Sequence, residues 1–342
     1  MNIHREKVKM TNKVLSISIA AYNVENCIKE TLMSLVVKNN LEKLEILIID
    51  DGSTDGTAKA AQEFVKKYPC SFFYFYKQNA GHESTINFAL TKATGKYFKV
   101  LDGDDKLLTD SLDDFIDYLC IVDCDLVLSE QIIIDISKNN RIYPRIKGVE
   151  PLKIQSTNNL SFVSSCLLPN ITVRTDNYRI KKLTVSERCF YDDLEWNYNC
   201  ISSAKDLVYW NRELYVYIIG RAGQSVSLAS RQKNYKMLQN ITIKLNNKFI
   251  NESHSMNMFQ KESIKNMIAD ALYGTYVIYL SFTDTCNYEA ELESFVNIID
   301  VNIKKYCKNK YTLFSVYCFS KKSYKILALY YRWKKGIKNE KN

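Results

Sequence analysis

The stretch EILIIDDGSTDGT, residues 45–57, runs four consecutive apolar residues straight into two aspartates, a glycine and a string of turn formers. A short apolar run bounded by turn residues reads as a strand buried on both faces, the pattern of parallel sheets. Upstream, KVLSISIAAYN (13–23) is a second such run, and between the two ENCIKETLMSLVVKN (25–39) sets Ile28, Leu32, Leu35 and Val36 at helical spacing. Downstream, Ser53, Thr54 and Asp55 are N-cap candidates for a helix through AKAAQEFVKKY (58–68). The strand SFFYFYK (71–77), the helix ESTINFALTKA (83–93) and the strand GKYFKVLD (95–102) follow. This alternation predicts an α/β fold, a mostly parallel central sheet with helices on both faces. Such sheets bind ligands at the carboxyl ends of their strands, where Asn23, Asp51 and Asp102 all fall.

Beyond this unit, LDDFIDYLCIV (112–122) reads as a helix and CDLVLSEQIIID (124–135) as a strand or hairpin. The region 141–183 carries weak periodicity. A helix entry with Asp192 and Asp193 near its start, RCFYDDLEWNYNCISSA (188–204), precedes the strand LVYWNRELYVYII (207–219) and the polar turn GRAGQSVS (220–227). From residue 229 onward the pattern is helical, and the change of pattern, rather than any Gly/Pro linker, sets a boundary near 228.

The chain has 342 residues, 46% hydrophobic and 25% charged, with 4 Pro and 10 Gly, which are globular values with short connections. Its basic N-terminus is not followed by an apolar core long enough for a signal peptide or membrane helix, so the expected location is cytoplasmic. The 10 cysteines form no Cys-x-x-Cys pair, and Cys120 and Cys124, which could share a helix face, have no histidine nearby to complete a zinc site. Reduced, mostly buried thiols are expected.

Three acidic clusters stand out. FKVLDGDDKLL (98–108) crowds Asp102, Asp104 and Asp105 around Gly103 at a strand end. Such repulsion costs folding energy unless a cation, hydrogen bonds or water relieve it, and hard oxygen ligands suit Mg2+ or Mn2+. A solvated turn capping the next helix, with Asp110 as a further cap, is the rival account, and Asp105 is expected to be such a cap. The second cluster, IIDDGSTDGT (48–57), is equally sound turn chemistry. In the third, YDDLEWNY (191–198), Asp193 is a candidate general base, or one of a surface pair at a helix N-terminus where the dipole favours negative charge.

Taken in order, SISIAAYNVENCIKETLMSL, EILIIDDGSTDGT, NAGHESTINFALTKATGKYFKVLDGDD and YDDLEWNY resemble glycosyltransferase family 2, the inverting sugar-nucleotide transferases of GT-A fold, over about residues 13–228. The resemblance is to members that assemble capsular or exopolysaccharides. It implies a GT-A domain over 1–228, with a nucleotide-binding half at about 13–115 and an acceptor half at about 116–228, then a helical C-terminal region over 229–342. It implies that Ala21, Tyr22, Asn23 and Glu25 line a nucleoside pocket and that Asp51 reads the base, uracil being the commonest. Gly81, His82 and Asn87 would pass near the nucleotide sugar, with His82 orienting phosphate or acceptor or else holding its loop. Asp102, beside Gly103, would meet the ribose or the metal's hydration shell, and Asp104 would coordinate Mn2+ or Mg2+ bridging the diphosphate. Asp193 would deprotonate the acceptor hydroxyl; the family more often has Glu where this chain has Asp192. Arg221, with Gln224 and Ser225, would meet the leaving diphosphate, against the alternative of an arginine in a solvated turn. The implied partners are a UDP-type sugar donor and a glycan or lipid-linked acceptor.

From Lys304 to Asn342 there are twelve Lys/Arg and one acidic residue, so this segment carries +11 of a total of +9 and the rest of the chain about −2. KKSYKILALYYRWKKGIKNEKN (321–342) sets Ile326, Leu329, Tyr330 and Trp333 at helical spacing. Two uses stand for that face: an anionic membrane surface, making the protein peripheral at the inner face of the cell membrane, or packing on the transferase domain. Nucleic acid is not an expected partner, since no recognition motif accompanies the charge. A dehydrogenase or P-loop enzyme would need G-x-G-x-x-G or GxxxxGK[ST], which are absent, and a phospho-receiver module leaves Asp193 without a role. The non-enzyme rival is a GT-A-like scaffold subunit of a glycan-assembly complex.

Overall fold

A computed structural model describes residues 13–164, 166–187, 190–221, 227–283 and 285–337. The first half alternates as the pattern predicts: β1 (Leu15–Ala21), α1 (Ile28–Met33), β2 (Leu44–Asp50), α2 (Thr57–Lys67), β3 (Phe72–Tyr76), α3 (His82–Lys92) and β4 (Tyr97–Asp102). A short β5 (Lys106–Leu107) and α4 (Thr109–Ile121) lead to β6 (Leu126–Asp135), β7 (Asn140–Ile142) and β8 (Gln155–Ser156). Then come β9 (Ile171–Arg174), α5 (Thr175–Ile180), α6 (Asp192–Ser203) and the long β10 (Asp206–Ile219).

All ten strands join one sheet in the order β3-β2-β1-β4-β9-β6-β10-β5, with β7 on β6 and β8 on β10. β3, β2, β1 and β4 are mutually parallel, as are β6 and β10. Between these two blocks, β9 runs antiparallel to both β4 and β6. The sheet is mostly parallel, with helices around it and a helical C-terminal region.

Side-chain alternation explains why both faces are covered. Ile46 and Ile48 enter one core with Ile17, Ile19, Leu32, Ala61 and Phe115, while Leu47 and Ile49 enter the other with Ile86, Phe98, Val100 and Trp196. After α7 (Leu228–Lys233), the second core continues without a break into the C-terminal helices α8 (Tyr235–Glu252), α9 (Met258–Ser281), α10 (Thr285–Ile298), α11 (Val301–Lys310), α12 (Thr312–Phe319) and α13 (Tyr324–Lys335). α9 starts at a capping box, Asn257 with Gln260, and is buried round most of its circumference. Among the described residues no helix is long and apolar enough to cross a membrane.

Two expectations are corrected. Cys124 lies past the end of α4, buried, whereas Cys120 on that helix is exposed, so the two share no helix face. In α13, Tyr324, Leu327, Ala328 and Arg332 face the core, and the predicted stripe of Ile326, Leu329, Tyr330 and Trp333 is 71, 55, 44 and 79% exposed. The reading in which that stripe packs on the rest of the chain does not hold.

Candidate active site

Register brings the acidic strand ends together: Ala21 pairs with Asp50 and Ala20 with Asp102 along one edge of the sheet. The Asp102–Asp105 turn is anchored from three sides. Gly103 packs so tightly that a Cβ would lie 2.5 Å from the Ala20 carbonyl, and its N–H donates to that oxygen at 3.1 Å. From α1, the Thr31 hydroxyl reaches the carbonyls of Gly103 (2.9 Å) and Asp105 (2.7 Å). From β10, the Tyr215 hydroxyl donates to Asp105 Oδ2 at 2.8 Å and the Ile218 N–H to Oδ1 at 2.9 Å.

Asp105 is therefore no helix cap. It is 2% exposed, and burial, reinforced by the neighbouring Asp102, pushes its carboxyl up to about 8. Asp102 and Asp104 are half-buried and turn toward solvent. Ligand oxygens of Asp102, Asp104 and Asp105 all lie within 4.8 Å of one another. Because Asp105 already accepts two protein hydrogen bonds, Asp102 and Asp104 are the pair whose chemistry suits a hard divalent ion, which takes oxygen ligands and keeps several waters. His82 Nε2 lies 3.0 Å from Asp102 Oδ1, and Arg221 donates to the Asp104 carbonyl at 2.5 Å and faces its Oδ2 at 3.4 Å.

The loops above the sheet use several predicted binding residues to hold one another. Asn23, at φ 51°, accepts from the Thr54 N–H (2.9 Å) and donates its own N–H to Ser53 Oγ (3.1 Å). Glu25 accepts from the Gly56 N–H at 2.7 Å. Ala21 is 1% exposed, so within that group Tyr22, 51% exposed, presents the free ring. Asp51, 3% exposed, accepts from Lys77 (2.5 Å) and from the N–H groups of Ala80 (3.0 Å) and Gly81 (2.9 Å). Gly81 sits at φ 98°, a conformation a side chain would strain, and so delivers the loop to α3. Asn87 exchanges two hydrogen bonds with the Val185 backbone, at 2.9 and 3.1 Å, tying α3 to the segment before α6.

Asp193 is the exposed second residue of α6. On β10, burial first, then the charges of Asp105, Asp102, Asp104 and Asp193, hold the Tyr217 phenol well above the usual range. Lys99, one face beneath, is 0% exposed; its Nζ donates to the carbonyls of Pro169 (2.7 Å) and Ile171 (3.3 Å) and lies 5.6 Å from the Tyr215 ring. Burial pulls its amine down to about 7. Tyr215, Tyr217, Thr31 and Lys99 were not singled out from sequence, and the one available signal was the pair of same-face tyrosines in LYVYII, just before GRAG. Gln224, Ser225 and the Asp192 side chain lie outside the described residues.

The class, a glycosyltransferase domain of GT-A fold, comes from the family match together with the solved structures this chain is similar to. The particular family follows from the chain itself: residues 16–179 match the glycosyl transferase family 2 model, and the chain carries a domain of that family. It is 28% identical over 234 residues to the uncharacterized glycosyltransferase MG060 homolog of Mycoplasma pneumoniae, an alignment covering 65% of this chain and 74% of that protein. The minor teichoic acid biosynthesis protein GgaB of Bacillus subtilis is 33% identical over 98 residues, 28% of this chain but 11% of GgaB. Among solved structures, S. aureus TarS 1-349 in complex with UDP-GlcNAc superposes with a TM-score of 0.65 at 18% identity, over 94% of this chain and 92% of that one. The mannosyltransferase PcManGT from Pyrobaculum calidifontis, in complex with GDP-Man and Mn2+, gives a TM-score of 0.52 at 13% identity, over 94 and 87% of the two chains.

Proposed function

We propose that this glycosyltransferase is metal-dependent and inverting, and moves a sugar from a UDP-linked donor to a hydroxyl of a glycan or lipid-linked acceptor in cell-surface polysaccharide synthesis. The observation that carries the proposal is the convergence of Asp102, Asp104 and Asp105 within 4.8 Å at the strand-end crevice, in a turn held rigid by β1, α1 and β10. The relatives whose names concern teichoic acid, and a neighbour solved with UDP-GlcNAc, support the donor and pathway class.

Asp102 and Asp104 would hold Mn2+ or Mg2+, which when bound offsets the charge of the leaving diphosphate. Asp51, which also fastens the loop at Ala80 and Gly81, would read the base, with Tyr22 against the nucleoside. Arg221, whose guanidinium bonds the Asp104 carbonyl, would meet an oxygen of the leaving diphosphate. Asp193 accepts the acceptor's proton, and one displacement with one base inverts the anomeric centre.

The test is release of nucleoside diphosphate from a panel of donors with Mn2+, together with calorimetry of UDP and Mn2+. Asp104→Ala should lose metal-dependent nucleotide binding, whereas Asp193→Asn should bind UDP normally and lose about 10²–10⁴-fold in transfer. If wild type and Asp104→Ala release nucleoside diphosphate from every donor at the same background rate, the enzyme reading fails and the scaffold reading replaces it.

The reading includes an anionic membrane surface as a docking partner. Supporting it, the outward stripe of α13 is exposed and Phe319, at the end of α12, is 95% exposed. Exposed apolar side chains within the lysine-rich segment from Lys304 onward suit a headgroup layer. The full chain should co-sediment with phosphatidylglycerol vesicles and the chain lacking residues 321–342 should not; equal sedimentation sinks the idea.

A further inference from the structure

A cavity of about 620 Å³ lies between the segment around Val163, α6, α9 and α11. Its size is that of a small-molecule site, and its walls include Phe162, Leu194, Ile201, Met267 and Tyr306. One end is polar: Lys310 Nζ donates to Asn266 Oδ1 at 2.8 Å and to Asp270 Oδ1 at 2.6 Å, and all three residues line the cavity. Apolar walls ending in a paired donor and acceptor match an amphipathic ligand.

Two buried polar groups mark this region as something other than core. Ser263 lines the cavity, and its hydroxyl has no hydrogen-bond partner in the protein. Asn197 is 0% exposed, and neither atom of its amide is partnered. Helical spacing puts Asn197 on the same face of α6 as the lining residues Leu194 and Ile201. Unsatisfied buried groups are few in folded proteins and costly, and an interior that had only to pack would place apolar side chains here.

One wall of the cavity belongs to the helix that carries Asp193, since the lining residue Leu194 directly follows it on α6. We infer that it receives the hydrocarbon chain of a lipid-linked acceptor whose sugar hydroxyl is presented to Asp193. This rests on the transferase reading and narrows its acceptor to a saccharide carried on an alkyl or isoprenyl chain.

The test uses a dansyl-labelled undecanoic acid as fluorescent probe, titrated into the full chain below its micellar range, with unlabelled decanol as competitor. Wild type should bind saturably and release the probe to decanol. Ser263→Leu and Met267→Trp, which fill the cavity, should each weaken binding about tenfold through lost chain burial. Ser263→Leu removes an unpartnered hydroxyl, so its thermal midpoint should not fall, which guards against mistaking misfolding for lost binding. UDP and Mn2+ binding by the same samples should be unchanged, so a failure of the transferase reading registers separately. Absence of saturable binding, or equal binding by wild type and both filled variants, overturns the inference. Loss of binding in Trp333→Asp, with both filled variants unaffected, overturns it too, by placing the chain on the outward face of α13.

Discussion

Lys99 gives a prediction whose sign and size both follow from its surroundings. Its amine is 0% exposed, faces two backbone carbonyls and one aromatic ring, and no carboxylate is bonded to it. A neutral amine can satisfy both carbonyls with its two N–H groups, so burial favours the uncharged form and brings the folded value to about 7. In the unfolded chain the same amine titrates near 10.4. Between these values the unfolded chain holds a proton that the folded one has lost, and stability therefore rises with pH across the window. The slope is about 1.4 kcal/mol per pH unit near pH 8–9, and the whole window is worth on the order of 4 kcal/mol. Below about pH 7 both states are protonated and the contribution is flat at its least favourable. Lys99→Met keeps the length of the side chain and removes the titration. Urea denaturation of wild type and Lys99→Met from pH 7 to pH 9.5 should show the wild type gaining on the variant by about 1.4 kcal/mol for each unit. If the two midpoints move in parallel over that range, the amine is charged in the folded protein and the reasoning is wrong.

Two further substitutions test the architecture of the acidic turn. Gly103→Ala forces a Cβ to within 2.5 Å of the Ala20 carbonyl, and should cost about 2–4 kcal/mol by denaturant titration together with a large loss of UDP affinity. Tyr215→Phe removes the hydroxyl that reaches Asp105 and should destabilise by about 1–3 kcal/mol at pH 9. That loss should shrink toward pH 6, as Asp105 takes up its own proton below its value of about 8; a loss independent of pH would contradict a buried, titrating Asp105.

How much of this was legible differs from element to element. The continuous apolar runs of β2 and β4 and the helix-like stretches of α2 and α3 were readable, because each strand is buried on both faces and each helix covers one of them. β9 was not readable: four residues wedged antiparallel between two parallel blocks carry too little pattern to show direction. In the acidic turn the residue types announced the chemistry but not the division of labour. Asp104 and Asp105 are adjacent, yet one faces solvent with Arg221 and the other is sealed under Tyr215 and Ile218, and no periodicity applies within a tight turn. Asn23, Glu25, Asp51 and Asn87 show a related limit, since a side chain that shapes a loop and one that touches a ligand look alike in sequence. The outward stripe of α13 was legible in composition, and its orientation needed the opposite face to be seen packed.

The clamp on the acidic turn comes from far along the chain. Tyr215, Ile218 and Arg221 all belong to β10 or the residues just past it, more distant in sequence than the end of the family match at residue 179. The nucleotide-binding half is thus not a self-sufficient module. A fragment cut after β6 would keep the acidic clusters at 48–57 and 98–108 and lose the strand that holds the second of them, so moving that segment alone would not carry its geometry along.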